Sequence, residues 1–437
     1  MRIACIHVPQ FALQCATRLD PSLRGAAVVV VGGTDPRRDR ASTTTGPLHA
    51  PIVLACSRAA WALGVRLGMT ATSARALSAQ VSVVPAELQV ERETVRAVAD
   101  ALLGLTPMVD VGGRVGAGGA HLALYAEVPT KTRGQSFGER VIETLDELGI
   151  AARIGIADDR FTAWVAAAQG GTEERGIVSV PRGGSAAYLS PRPLSLLAIT
   201  PEVRHMLEAL GVRTLGEFAA LPAPSVARPI EADYQALARG ESGASLRPYS
   251  PEAAIREEVI VSAGNVLEAP GTVSGPAGIA LVARRIALRL AGRDRGAARI
   301  EVTAGDQEVA VSMPSPCADA VDLARLLAPA IEAAHVGSWR LRVIVASEAV
   351  SGCGIVELAA QGPAAMQLAQ LVDPLAVVLS TSGSLFTLSA PSSERRDAHR
   401  RTRRGKQRRS RPVPLARSGS QSSASAVTQS SLFDRRS

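Results

Sequence analysis

Lysine is nearly absent from this chain: Lys131 and Lys406 are the only two among 48 basic residues, and arginine supplies the rest. With so much alanine beside it, that bias reads as a habit of genome composition, and no binding inference follows from arginine over lysine. Cysteine is scarce as well. Cys5, Cys15, Cys56, Cys317 and Cys353 are scattered without a C-x-x-C pair, and no His/Cys cluster has zinc spacing. This argues against a disulfide framework or a sequence-readable zinc site and leaves reduced thiols in a cytoplasm as the expectation. Long apolar runs are missing too. The opening MRIACIHVPQFALQ is broken by His7, Pro9 and Gln10, and no small-residue cleavage site follows. Neither a signal peptide nor a membrane span is expected.

What is present is charge, unevenly placed. The net charge is +8, yet from Pro391 to Ser437 there are 13 basic residues against Glu394, Asp397 and Asp434, a net of +10. Residues 1–390 therefore carry 35 basic against 37 acidic side chains, a net of −2. The 437 residues, 46% hydrophobic, suffice for about three domains at ~150 residues each.

Periodicity predicts three folded blocks and a tail. Residues 1–176 alternate strands and helices: IACIHV, FALQCATRL, AAVVVVG, SRAAWALGV, TATSARAL, RETVRAVADALLGL, HLALYAEV, FGERVIETLDELG, AARIGIA and FTAWVAAAQ. Residues 177–250 read as short helices, with PEVRHMLEALGVRTLGEFAALP a helical hairpin turning at Gly211. Residues 251–358 read βαββαβ, a small sheet with two helices on one face. Residues 359–390 are an uncertain extension. The segment 391–437, rich in Ser, Ala, Arg and Gln, is expected to be disordered. The fold class is multidomain α+β.

Four stretches, in order, carry a family resemblance: IACIHVPQFALQCATRLDPSLRGAAVVVVG, SRAAWALGVRLGMTATSARAL, ARIGIADDRFTAWVAA and LEALGVRTLGEFAAL. They resemble the first palm strand, fingers, last palm strand and helix-hairpin-helix thumb of the Y-family (UmuC/DinB-type) translesion DNA polymerases. The βαββαβ block would be the little finger. The resemblance implies nucleotidyl transfer with two Mg²⁺ ions held by palm carboxylates. At the corresponding positions this chain has His7 and Pro9, and Val115 and Gly116. The nucleotide-contacting positions hold Arg58, Trp61 and Trp164, and the ribonucleotide-excluding aromatic is Ala12.

That pattern is similar to the ImuB-like group of polymerase-shaped proteins. It implies a non-catalytic scaffold of damage-induced translesion synthesis: no enzyme, no metal, no cofactor. The implied partners are DNA, the beta sliding clamp, an error-prone replicative-type polymerase and a small accessory mutagenesis protein, in a cytoplasmic, nucleoid-associated complex. Near the C-terminus, QSSLF resembles the bacterial clamp-binding pentapeptide, which would make Gln429, Leu432 and Phe433 clamp-binding; burying Leu plus Phe supplies on the order of 3–6 kcal/mol.

DNA contacts are expected from Gly211 and Arg213 at the hairpin turn, through backbone N–H groups to phosphate, and from Arg284, Arg285 and Arg289 on the little-finger helix. The tail run containing Arg400, Arg401, Arg403 and Arg404 would act as a sequence-blind phosphate tether. Two rivals stand beside the scaffold. One is an active error-prone polymerase with ligands drawn from Asp110, Glu127, Asp158 or Asp159, and the other a general nucleic-acid-binding protein.

Overall fold

The computed structural model describes residues 1–32, 51–116, 119–169, 176–222, 229–243, 245–252, 254–262, 271–305, 307–331, 338–350, 356–359 and 385–388. The chain divides into two compact units, Met1–Ser351 and Gly352–Ser437. Of the expected site residues, Arg400, Arg401, Arg403, Arg404, Gln429, Leu432 and Phe433 lie outside the described residues.

The first unit begins β1 (Ile3–Val8), α1 (Phe11–Leu19), β2 (Val28–Gly32), β3 (Ile52–Cys56), α2 (Arg58–Ala62), α3 (Ala71–Leu77), β4 (Ser82–Pro85) and α4 (Leu88–Leu103). It continues with β5 (Val109–Val115), β6 (His121–Glu127), α5 (Gly134–Leu148), β7 (Arg153–Ala157), α6 (Arg160–Gln169) and β8 (Gly176–Ser179). Five of these strands form a sheet in the order β5-β6-β1-β7-β8, with β1 antiparallel to both β6 and β7.

Because strand side chains alternate, β1 sends Ala4, Ile6 and Val8 into the core shared with α4 and α5. Ile3 and Cys5 pack on the other face, beneath α6. Gly155 of β7 is what lets α6 settle there, since a Cβ would come within 2.1 Å of the Ala163 carbonyl oxygen. The apolar run of β2 sits between β3 and β4 in a second sheet, packed on α2 and α3.

Strands β3, β4, β5 and β8 do not stand out in the sequence. In β5 the reason is visible: Gly112, with φ +59°, breaks the alternation, and the ladder to β6 shifts register between Asp110 and Gly113. Four short helices follow, α7 (Ser185–Leu189), α8 (Pro201–Ala209), α9 (Leu215–Ala219) and α10 (Pro229–Ala238). The first unit ends with β9 (Ile255–Ser262), α11 (Gly275–Arg293), β10 (Arg295–Ala304), β11 (Gln307–Cys317), α12 (Ala320–Leu327) and β12 (Ser338–Val350). This is the expected βαββαβ order, with strands arranged β11-β10-β12-β9 over the two helices. In the second unit, β13 (Val356–Ala359) pairs antiparallel with β14 (Leu385–Leu388).

Helices α4 and α11 cross tightly, and the contact corrects part of the DNA-binding expectation. Arg285 and Arg289 are 0% exposed, as is Asp100. Arg289 donates from Nε to Asp100 at 2.8 Å and from a terminal nitrogen to Glu257 at 3.0 Å. Asp100 also accepts from Arg293 at 2.8 Å and from the Tyr249 hydroxyl at 2.9 Å, while Glu257 accepts from Arg18. Arg285 reaches the Arg18 and Glu258 carbonyl oxygens, and burial pushes its guanidinium pKa well down. The i, i+4 arginine stripe therefore faces the first block instead of solvent. Arg285 and Arg289 are packing residues and cannot meet a phosphate; Arg284, beside them, is exposed.

Candidate functional site

Beyond the edge of α6, the same face of the five-stranded sheet carries polar side chains. His7 stands directly opposite Arg153 in the β1–β7 register and opposite Ala123 on β6, which places His121 diagonally across from it. The His7 and His121 rings lie 5.1 Å apart, centroid to centroid. His7 is 4% exposed, while His121 and Arg153 are half-buried.

Gln10, in the left-handed conformation at φ 47°, ties this cluster to the smaller sheet. Its backbone N–H donates to His121 Nδ1 at 3.1 Å, and its side-chain oxygen accepts from the Cys56 N–H at 3.3 Å. Burial, then His121 and Arg153, push the His7 pKa down to about 3. Burial followed by Arg153 and Arg114 lowers His121. Both rings are held neutral at physiological pH.

The nearby carboxylates are committed elsewhere. Asp110 accepts from Arg160 at 2.9 Å and from the backbone N–H groups of Gly112 and Arg247 at 2.8 and 2.9 Å. Arg160 also lies over the Tyr125 ring at 4.0 Å. Asp158 takes Arg2 at 3.1 Å and the Gly183 N–H at 2.6 Å, and these bonds lower its pKa against the opposing effect of burial. Asp159 caps the start of α6 through the Thr162 N–H at 2.8 Å. Imidazole and guanidinium do not fit a hard Mg²⁺ ion, which requires oxygen ligands. Among the described residues, no three His, Cys, Asp or Glu side chains are grouped to share a metal ion.

At the helical hairpin, Gly211 takes φ +87° and Arg213 is exposed. The turn's N–H groups are already engaged. Gly211 and Val212 donate to the Glu208 and Leu207 carbonyls, and Arg213 and Thr214 donate to the Glu217 carboxylate at 2.7 and 2.9 Å. The expected phosphate contact through backbone N–H groups is corrected accordingly, and the Arg213 side chain is what the turn offers. Sequence reasoning did not single out His121, Arg153 or Gln10. Only the strand register brings them to His7.

A five-stranded sheet, a second small sheet with short helices, a helical hairpin block and a βαββαβ block together make a multidomain α+β architecture. Residues 6–168 match the impB/mucB/samB family. DNA polymerase IV of Dehalococcoides mccartyi is 28% identical over 51% of this chain and 53% of its own length. DNA polymerase IV 2 of Mesorhizobium japonicum is 31% identical over 46% of this chain and 43% of its own. The chain spans about half the length of these curated relatives. The crystal structure of DinB from Sulfolobus solfataricus matches at 15% identity and TM-score 0.43, covering 80% of this chain and 100% of that one.

These relatives correct the expectation of a protein that is no enzyme, because each is named a DNA polymerase. The substitutions at four aligned positions do not by themselves exhaust the palm's carboxylates, since Asp110, Glu127, Asp158 and Asp159 all stand on or beside this sheet. Among the described residues, no helix is long and apolar enough to cross a membrane.

Proposed function

We propose that this chain acts in damage-tolerant DNA synthesis, bound to DNA and tethered to the beta sliding clamp through Gln429, Leu432 and Phe433. The observation that carries this reading is the family match over residues 6–168; the QSSLF pentapeptide supplies the clamp anchor. Arg213 and Arg284, both exposed, and the tail arginines Arg400, Arg401, Arg403 and Arg404 provide sequence-blind phosphate contacts. On the same reading the clamp-bound protein works alongside an error-prone replicative-type polymerase and a small accessory mutagenesis protein.

Clamp pull-down and surface binding with the full chain test the tether. Loss of clamp binding in a Leu432→Ala, Phe433→Ala double variant is the expected result, and unchanged binding overturns it. The names of the relatives favour a second reading, nucleotidyl transfer by the chain itself. Primer extension by highly purified protein, lost on Asp110→Ala or Asp158→Ala, is its measurement.

A further inference from the structure

We propose that His7, His121 and Arg153 form an oxyanion site on the palm-type sheet, receiving phosphate oxygens directly, without a bridging metal ion. Three adjacent strands each contribute one donor-bearing side chain to this patch. His7 and Arg153 are direct cross-strand neighbours, and His121 closes the third corner 5.1 Å from the His7 ring.

The donor inventory is specific. Because His121 Nδ1 accepts the Gln10 N–H, the proton of its neutral ring sits on Nε2, which is left to donate. His7 Nδ1 is buried and meets no partner among the described residues, so the site contains a polar atom that has given up water without a replacement. Arg153 supplies a guanidinium, one nitrogen of which reaches the Ala168 carbonyl at 3.4 Å.

Among the described residues, the charges acting on the two rings have one sign. The charged groups acting on the two rings are Arg153 and Arg114. Of the carboxylates nearby, Glu91 is taken by Arg114 and Asp110 by Arg160. Two desolvated imidazoles beside guanidinium groups call for an anion, because charge-assisted bonds to an oxyanion restore what burial removed. A phosphate suits three donors arriving from three strands better than a carboxylate, whose two oxygens lie in one plane with their carbon. The choice of phosphate rests on the DNA-handling reading above; the anion requirement does not.

The test uses the full chain in EDTA, with inorganic pyrophosphate as probe and the side-chain ¹⁵N resonances of the histidines as readout. Pyrophosphate should shift the His7 and His121 signals. Arg153→Met should weaken binding by at least about tenfold, Arg153→Lys should retain part of it, and Arg140→Met, an exposed arginine on α5, should change nothing. Melting temperatures check that the variants fold, and if Arg153→Met does not, His121→Gln replaces it.

A short single-stranded oligonucleotide that displaces pyrophosphate identifies backbone phosphate as the ligand. Failure to displace it identifies a free polyphosphate, and both outcomes support the site. Unmoved histidine signals in the unaltered protein, or full affinity in a folded Arg153→Met variant, overturn it. Clamp binding is read separately, so failure of the tether leaves this result standing.

Discussion

Gly292 of α11 rests against the Asp100 backbone of α4, so closely that a Cβ on Gly292 would lie 1.9 Å from the Asp100 carbonyl oxygen. The same residue's carboxylate is the hub of the buried arginine network, so backbone contact and charge pairing fix one crossing together. Gly292→Ala must push the helices apart and should destabilise the protein by about 1–3 kcal/mol, as overpacking does. Urea or thermal unfolding reads the loss directly.

Removing one partner of a buried pair leaves the other charge stranded. Arg289→Ala should therefore cost about 3–5 kcal/mol, whereas Arg284→Ala, on the same helix but exposed, should fall within about 0.5 kcal/mol of the parent. Equal and small effects for the two would contradict the assignment of Arg289 to packing.

His7 makes stability depend on pH. Its folded pKa, about 3, lies below the ordinary value of 6.5, so between these values the unfolded chain binds a proton that the folded protein refuses. The stabilisation is complete above pH 6.5 and is lost as pH falls toward 3, at about 1.4 kcal/mol per unit. His7→Phe should flatten the unfolding free energy across that window by about this slope, measured by denaturant titration at several pH values.

For the clamp tether, changing Leu432 and Phe433 to Ala should lower clamp affinity at least about tenfold, or ~1.4 kcal/mol, with the melting temperature unchanged. The tail arginines make a separate prediction. Deleting Arg395–Arg411 should reduce the salt dependence of DNA binding by ~0.7–0.9 per lost phosphate contact, and an unaltered slope would remove the tether role from that run.

Local rules made part of this molecule readable. The alternation in IACIHV, the apolar run VVVVG and the strand-helix order of residues 255–350 are each set within a few residues, and the structure follows them. The rest depended on partners distant in sequence. Nothing within α11 distinguishes Arg285 and Arg289 from a solvated arginine face; what decides is that Asp100, Arg18 and Glu257 arrive opposite them. His121 and Arg153, the neighbours of His7, come from strands whose register no single segment encodes. The clamp and tail motifs lie outside the described residues and stand as proposals.

Asp100 waits for a partner 189 residues downstream. At about 5–20 residues per second of synthesis, a ribosome needs roughly ten to forty seconds to make Arg289 after it has made Asp100. During that interval α4 carries an acid destined for a dry contact, with no cation yet to meet it, and the palm-type sheet is built before its outer helix can be covered. Nascent chains halted at residue 250 should therefore be cut within α4 by a protease that leaves chains released at residue 350 intact. On this account, completion of the last block, more than that of the first, should set the moment at which the chain resists proteolysis.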